Sequence, residues 1–133
     1  MADLSITPSN VISSSPGGNA QATAGEGIDA GEVCYINETD QKAYLAINDD
    51  ADKDAVFAIA INSGAAGQSV ALHTGGDLTV GAGVTEGVLY FLSDTGGKLA
   101  PEADLTTGQM KQLVAIGKSA TELTVRVWNT NKA

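Results

Sequence analysis

The sequence predicts an all-β protein, built as a sandwich or a barrel. Short apolar runs of 4–7 residues, rich in Val, Ile, Tyr and Phe, alternate with clusters of Gly and Asp. The segment Leu105–Met110 suits a short helical turn at most. Aromatic residues make up only 5% of the chain, so we expect a core of Ala, Val, Ile and Leu.

The segment 1–24 differs in composition from the rest of the chain. Residues 5–24 are mostly Ser, Thr, Asn, Gln, Gly and Pro, and they hold too few apolar side chains to form a core. Two interpretations stay open: a disordered N-terminus, or an extended arm that orders on a partner by adding a strand to a sheet edge. For the arm, residues 1–24, the predicted partner-binding anchors are Leu4, Ile6, Val11 and Ile12.

Residues 25–133 are predicted to form the β body. Its apolar runs are bounded by turn-like segments such as Glu38–Gln41 and Asp94–Gly97. The predicted strands are Val33–Ile36, Lys42–Ile47, Ala55–Ile61, Gln68–His73, Val88–Leu92, Leu113–Ile116 and Leu123–Trp128.

The body also repeats itself, with approximate units 25–74 and 81–128. Gly25–Gly31 resembles Gly81–Gly87, and an apolar run follows each segment. The offset between matching segments stays close to the one that separates Gly25 from Gly81. A duplicated β unit favours a compact barrel with pseudo-twofold symmetry, because this repeat is too long and occurs too few times for a solenoid.

Charge and cysteine content exclude several classes of function. The net charge of −9, from 16 Asp+Glu against 7 Lys+Arg, disfavours nucleic acid and anionic membranes as partners. No apolar stretch approaches the roughly 18 residues that span a bilayer, and no signal-peptide pattern opens the chain. The single cysteine, Cys34, has no partner for an intrachain disulfide or a cysteine-based zinc site. We therefore expect a protein made in the cytoplasm.

The glycine segments and the acidic loop are weak candidates for ligand sites. The spacing Gly-x-Gly-x-x-x-Gly departs from a dinucleotide fingerprint, and a predicted strand follows where a helix is needed. Asp50–Asp54, within the acidic segment Asp49–Asp54, begins like a calcium loop. However, Ala55 stands at the glycine position and Ile61 at the bidentate glutamate position. The favoured interpretation is a solvated loop, with weak cation binding as the alternative.

The remaining reactive residues lack partners in the sequence. His73 is the only histidine, no nucleophile elbow occurs, and His73 and Cys34 are interpreted as structural residues within strands. No catalytic residue, cofactor or metal is therefore expected. Trp128 is predicted either to pack in the core or rim or to contact a partner, which makes it a candidate rim contact.

Three stretches carry patterns of small residues: Ala24–Ile36, Ala60–Val70 and Gly87–Ser93. They resemble the decoration (cement) proteins and head-fibre proteins of tailed bacteriophages. In that family the patterns AGE-x-I-x-AG, A-x-N-x-A-A-x-G-Q-x-V and G-x-x-Y-x-L-S recur, and the resemblance covers about residues 24–128. Departures occur at Glu32–Cys34 and in the acidic loop.

The resemblance implies a small barrel of the β-tulip or β-clip type, bound to the outside of a mature phage head. It implies contacts with the major capsid protein and with neighbouring copies, as a homotrimer, and stabilisation of the expanded shell against DNA pressure. The predicted location is therefore the outer surface of the virion. The alternative function is a receptor- or glycan-binding module of a head or tail fibre, and an enzyme is not expected.

Overall fold

The chain folds into β-strands, as the sequence predicts. A computed structural model describes residues 3–4, 6–13, 19–48, 53, 55–101 and 112–129. Besides a short 3-10 helix at Pro8–Asn10, the described elements are β1 Ile12–Ser13, β2 Asn19–Thr23, β3 Val33–Ile36, β4 Ala43–Leu45, β5 Ala58–Ala60, β6 Ser69–His73, β7 Gly75–Thr79, β8 Leu89–Leu92, β9 Leu99–Pro101, β10 Gln112–Gly117 and β11 Glu122–Asn129.

The strands form two antiparallel sheets that share one strand order. The five-stranded sheet runs β2-β6-β5-β3-β4, and the six-stranded sheet runs β1-β7-β11-β10-β8-β9. Without β1, the second order repeats the first. β2, β3 and β4 begin at positions 19, 33 and 43, and their counterparts β7, β8 and β9 begin at positions 75, 89 and 99. The three strand starts are therefore displaced by the same amount, which equals the displacement of Gly81 from Gly25.

The hairpin turns after β3 and β8 also match. The Asn37 side-chain oxygen accepts a hydrogen bond from the Thr39 backbone at 2.8 Å. The Ser93 hydroxyl oxygen accepts one from the Thr95 backbone at 3.1 Å. Asn and Ser side chains favour such turns because they bind the backbone two residues ahead. The two turns are separated by the same offset as the strands that they follow.

The core lies between the sheets and extends to the far face of the smaller one. The larger cluster contains Val33 and Ile59 of the five-stranded sheet together with Tyr90 and Leu123 of the six-stranded sheet. The second cluster lies on the opposite face of the five-stranded sheet, because successive side chains of a strand alternate between faces. It consists of Ala24, Ile28, Cys34, Ala43, Ala58, Ala60, Val70 and Leu72.

Both sheets are open, and isolated backbone contacts are made at their edge strands. Ala24, just after β2, forms a parallel bridge to Ala43 of β4, and the Gly25 N–H donates to the Ala43 carbonyl at 2.8 Å. β2 and β4 are the two edges of the five-stranded sheet. In the other sheet, the Leu4 N–H donates to the Leu99 carbonyl of edge strand β9 at 2.8 Å.

Four described strands lie where the sequence indicates none: Ile12–Ser13, Asn19–Thr23, Gly75–Thr79 and Leu99–Pro101. Asn19–Thr23, assigned to the arm, pairs along its full length with β6 and so belongs to the five-stranded sheet. Its small polar residues give no apolar pattern, so this strand depends on its partner. Gly75–Thr79 is turn-like in sequence, but it pairs with both β1 and β11. The chain therefore passes from one sheet to the other at Thr74.

Candidate docking surface

One face of the six-stranded sheet brings together residues from four strands. In antiparallel sheets, directly opposed residues share a face. Asp77 of β7 opposes Thr124 of β11, Thr124 opposes Ile116 of β10, and Ile116 opposes Leu89 of β8. These four residues therefore form one row across the sheet.

A second row lies beside the first on the same face. Ile12 of β1 opposes Thr79, and Thr79 opposes Glu122. Glu122, Thr124 and Arg126 alternate along β11, so all three face the same way. We call the two rows together with Arg126 the outer face.

The outer face carries exposed apolar side chains. Ile12 is 60% exposed and Leu89 is 42% exposed, while Ile116 is partly exposed. Among the described residues, the other exposed large apolar side chain is Phe57, at 39%, on the segment before β5. An exposed leucine alone means little, but several apolar side chains on one rigid sheet face suit a protein contact.

The charges on this surface nearly balance. Lys118 forms an ion pair with Asp77 Oδ2, and the Thr124 hydroxyl donates to Asp77 Oδ1 at 3.1 Å. The hydrogen bond from Lys118, followed by that from Thr124, lowers the pKa of Asp77, and the same bond raises the pKa of Lys118. With Glu122 and Arg126, this surface carries two acids and two bases, whereas the whole chain has a charge of −9.

The predicted arm anchors lie mostly against the protein's own body. Leu4 and Val11 are buried and belong to the larger core cluster, against which Ile6 also packs. Ile12 is the anchor that the structure leaves exposed on the outer face. The partner-binding role of the four residues stays a prediction. Of the four, Ile12 has the side chain that is exposed to a partner.

The two glycine segments noted in the sequence make room for the arm. Gly31 has φ +92°, and a Cβ there would lie 2.6 Å from the Ile6 Cγ2 atom. Gly81 has φ +96°, and its Cβ would lie 2.7 Å from the Asn10 Cβ atom. Only glycine combines such a φ with such a close approach at low cost. The glycines of these segments therefore allow a positive φ and the close packing of the arm against the body.

A small groove remains between arm and body. Its volume is about 120 Å³, and Leu4, Ile6, Glu32 and Lys98 are among its lining residues. Lys98 Nζ lies 3.7 Å from Glu32 Oε2, a distance at which the pair contributes little in solvent. The groove suits a few water molecules rather than a drug-sized ligand.

Within the described residues, the two candidate reactive side chains, those of Cys34 and His73, are both buried in strands. Cys34 is buried, and burial, with smaller effects from Glu32 and Glu26, raises the pKa of its thiol to about 12. His73 is buried in β6. Across the described ranges, no group of three His, Cys, Asp or Glu side chains could hold a metal ion.

Other sequence predictions lie outside the described residues. Of the acidic segment Asp49–Asp54, only Lys53 is described, and Leu105–Met110 is not described. Trp128 lies in β11, where its backbone opposes Leu113 of β10, but its side chain lies outside the described part. Within the described ranges, no helix is long and apolar enough to cross a bilayer.

Comparisons of the chain with protein-family models, with curated proteins and with solved structures found no match.

Sequence reasoning missed Leu89 and Ile116 as surface residues. The signal was the run Val88–Leu92, which is apolar at every position instead of alternating. Such a run makes both faces of β8 apolar, and one of them faces outward.

Proposed function

We propose that this chain is a capsid decoration protein that binds the outer surface of a tailed-phage head and stabilises its expanded shell. The observation that carries the proposal is the outer face, a rigid sheet surface with exposed apolar residues and mixed charges. Such a surface suits docking onto protein. The partners would be the major capsid protein and neighbouring copies, on the outer surface of the virion.

The finer fold behind this proposal is a duplicated small barrel. Its support is the repeated strand order and the shared offset of the strand starts. Buried positions match as well: Cys34 corresponds to Tyr90, and Ala43 to Leu99. In the first unit, the bridge from Ala24 to Ala43 joins the two sheet edges, as a barrel requires.

In the second unit, the arm takes the corresponding place. Leu4 is hydrogen-bonded to edge strand β9, and Ile12–Ser13 pairs with β7 at the other side. The arm would therefore complete the second barrel. This assignment gives the arm a structural role in addition to the partner contact predicted for Ile12.

Two of the segments that resemble decoration proteins are joined to each other by backbone hydrogen bonds. Ile28 and Gly64 exchange backbone hydrogen bonds of 2.9 and 2.8 Å, and the Gly31 N–H donates to the Ala60 carbonyl at 2.8 Å. The recurrent small residues thus hold two loops together at close range. The residues that carry the resemblance are therefore in contact in the fold, which supports the proposal.

Stabilisation of the shell would follow from linkage. A ligand that binds the expanded shell more tightly than the unexpanded one shifts the equilibrium by that difference in affinity. Weak individual contacts suffice when many copies act on one particle. The proposal includes no catalysis and no cofactor.

Co-sedimentation with purified heads tests the proposal. The protein should pellet with expanded heads at a fixed copy number per capsomer, should not pellet with unexpanded heads, and should raise the temperature at which expanded heads release DNA. Failure to bind expanded heads would refute it. Binding of only a few copies per particle would favour the fibre module instead.

A further inference from the structure

We propose that the outer face is a self-association surface, on which a second copy of the chain docks about a twofold axis. In this pair, Ile12 of each copy lies against Leu89 of the other. The inference concerns the free protein in solution and does not depend on the proposed function; contacts with the shell through the same face would replace this pair on a capsid.

The matching face of the other sheet is buried in the core. Val33 and Ile59 oppose each other on β3 and β5, as Leu89 and Ile116 do on β8 and β10. The two pairs occupy the same places in the shared strand order. Val33 and Ile59 are both 0% exposed, because they pack into the core against the six-stranded sheet. Leu89, by contrast, is exposed. The face is therefore buried in the five-stranded sheet, and the matching face of the six-stranded sheet is open to solvent.

The exposed apolar residues lie on either side of β11, the middle strand of the outer face. Ile12 lies on β1 and Leu89 on β8, with β7, β11 and β10 between them. At about 4.8 Å per strand, the two side chains lie roughly 19 Å apart on one face. In an isologous contact, residue i meets residue j and j meets i. A twofold axis near Thr124, on the middle strand, therefore places both apolar positions against a partner.

The outer face differs in charge from the chain as a whole. Two chains of −9 repel each other, so they associate best through a patch that lacks the excess negative charge. Among the described residues, the outer face and its ion-pair partner Lys118 supply two bases and two acids: Lys118, Arg126, Asp77 and Glu122.

We expect the dimer to be weak and its association to become stronger as salt is added. One sheet face gives an interface at the small end of the specific range, so we expect a dissociation constant on the order of 100 μM. Because the net repulsion between the chains is screened by ions, added salt should strengthen the association. This symmetry differs from the trimer that the resemblance implies.

Sedimentation equilibrium of the full chain tests the self-association. The wild-type protein should pass from monomer to dimer as its concentration rises to about 1 mM, and Leu89→Asp should weaken the dimer at least tenfold. Phe57→Asp is the matched control, since Phe57 is similarly exposed but lies off this face, and it should dimerise like wild type. Circular dichroism shows whether each variant is folded. A monomeric wild type, a trimer, or equal loss in both variants would overturn the proposal.

Cysteine crosslinking tests the twofold geometry separately. Ile12→Cys and Leu89→Cys are made as single variants, and the native Cys34 is buried. A short bis-maleimide is used, because two packed sheet faces lie about 10 Å apart, too far for a direct disulfide. Each variant alone should give little covalent dimer with this reagent, because like positions lie far apart across the axis. A mixture of the two should give covalent dimer. Strong trapping of Leu89→Cys with itself, or none in the mixture, would contradict the arrangement.

Discussion

Replacing Leu4 by alanine should destabilise the whole protein, although this residue lies near the start of a polar segment. Leu4 is 7% exposed and belongs to the core cluster that both sheets share. Truncating a buried leucine to alanine costs about 2–5 kcal/mol. Because a terminal segment can relax into part of the cavity, we expect the lower half of that range, about 2–3 kcal/mol.

Ile12→Ala is the matched control, because it removes a similar apolar side chain from the same arm. Ile12 is exposed and pairs with the edge of β7. Its truncation in the monomer should cost less than about 1 kcal/mol, since little area is withdrawn from the core.

Urea unfolding followed by circular dichroism, at concentrations below those that favour association, measures both costs. With a slope of about 1–3 kcal/mol per molar urea, Leu4→Ala should lower the midpoint by about 1–2 M. Ile12→Ala should lower it far less. Equal midpoints for the two variants would show that the arm is not part of the core, and the docked-arm account would then be wrong.

Three individual sites supply further predictions. Gly31→Ala should lower the free energy of unfolding by about 1–3 kcal/mol, because φ is +92° and the new methyl group would meet the arm. Gly27→Ala, with open space around it, should change the free energy little, and equal costs would contradict this packing. Cys34, buried and with its thiol pKa raised to about 12, should react with a thiol reagent at pH 8 only as fast as the protein unfolds, and immediate reaction would refute its burial. Hydrogen bonding, chiefly from Lys118, lowers the pKa of folded Asp77, so this interaction stabilises the protein above the ordinary carboxyl pKa and is lost as pH falls through the lowered one. The unfolding midpoint of Asp77→Asn should therefore fall less steeply on acidification than that of wild type, and an identical slope would contradict the assignment.

The strands with strong apolar patterns could be predicted from the sequence. Val33–Ile36 and Leu89–Leu92 are short runs of β-forming residues bounded by turns, so local preference and tertiary pairing agree. The matching offset of their glycine segments also indicated two related units. Local patterns of this kind are enough to predict the fold class and the approximate positions of these strands.

The arm and the outer face depend on pairings that local patterns do not contain. Asn19–Thr23 forms a strand because β6 lies beside it, and its own residues show no strand pattern. Leu4 and Val11 are single apolar residues in a polar segment, which fits a free arm as well as a docked one. Ile12 and Leu89 lie on the same face only because of the registers of four successive strand pairs.

Electron cryomicroscopy of expanded heads incubated with the protein tests the proposed role in the shell most directly. We expect density for the two-sheet body on the outer surface, repeated at every equivalent contact between capsomers and absent from unexpanded heads. A map of saturated expanded heads without such density, or with density at only a few isolated sites, would contradict it.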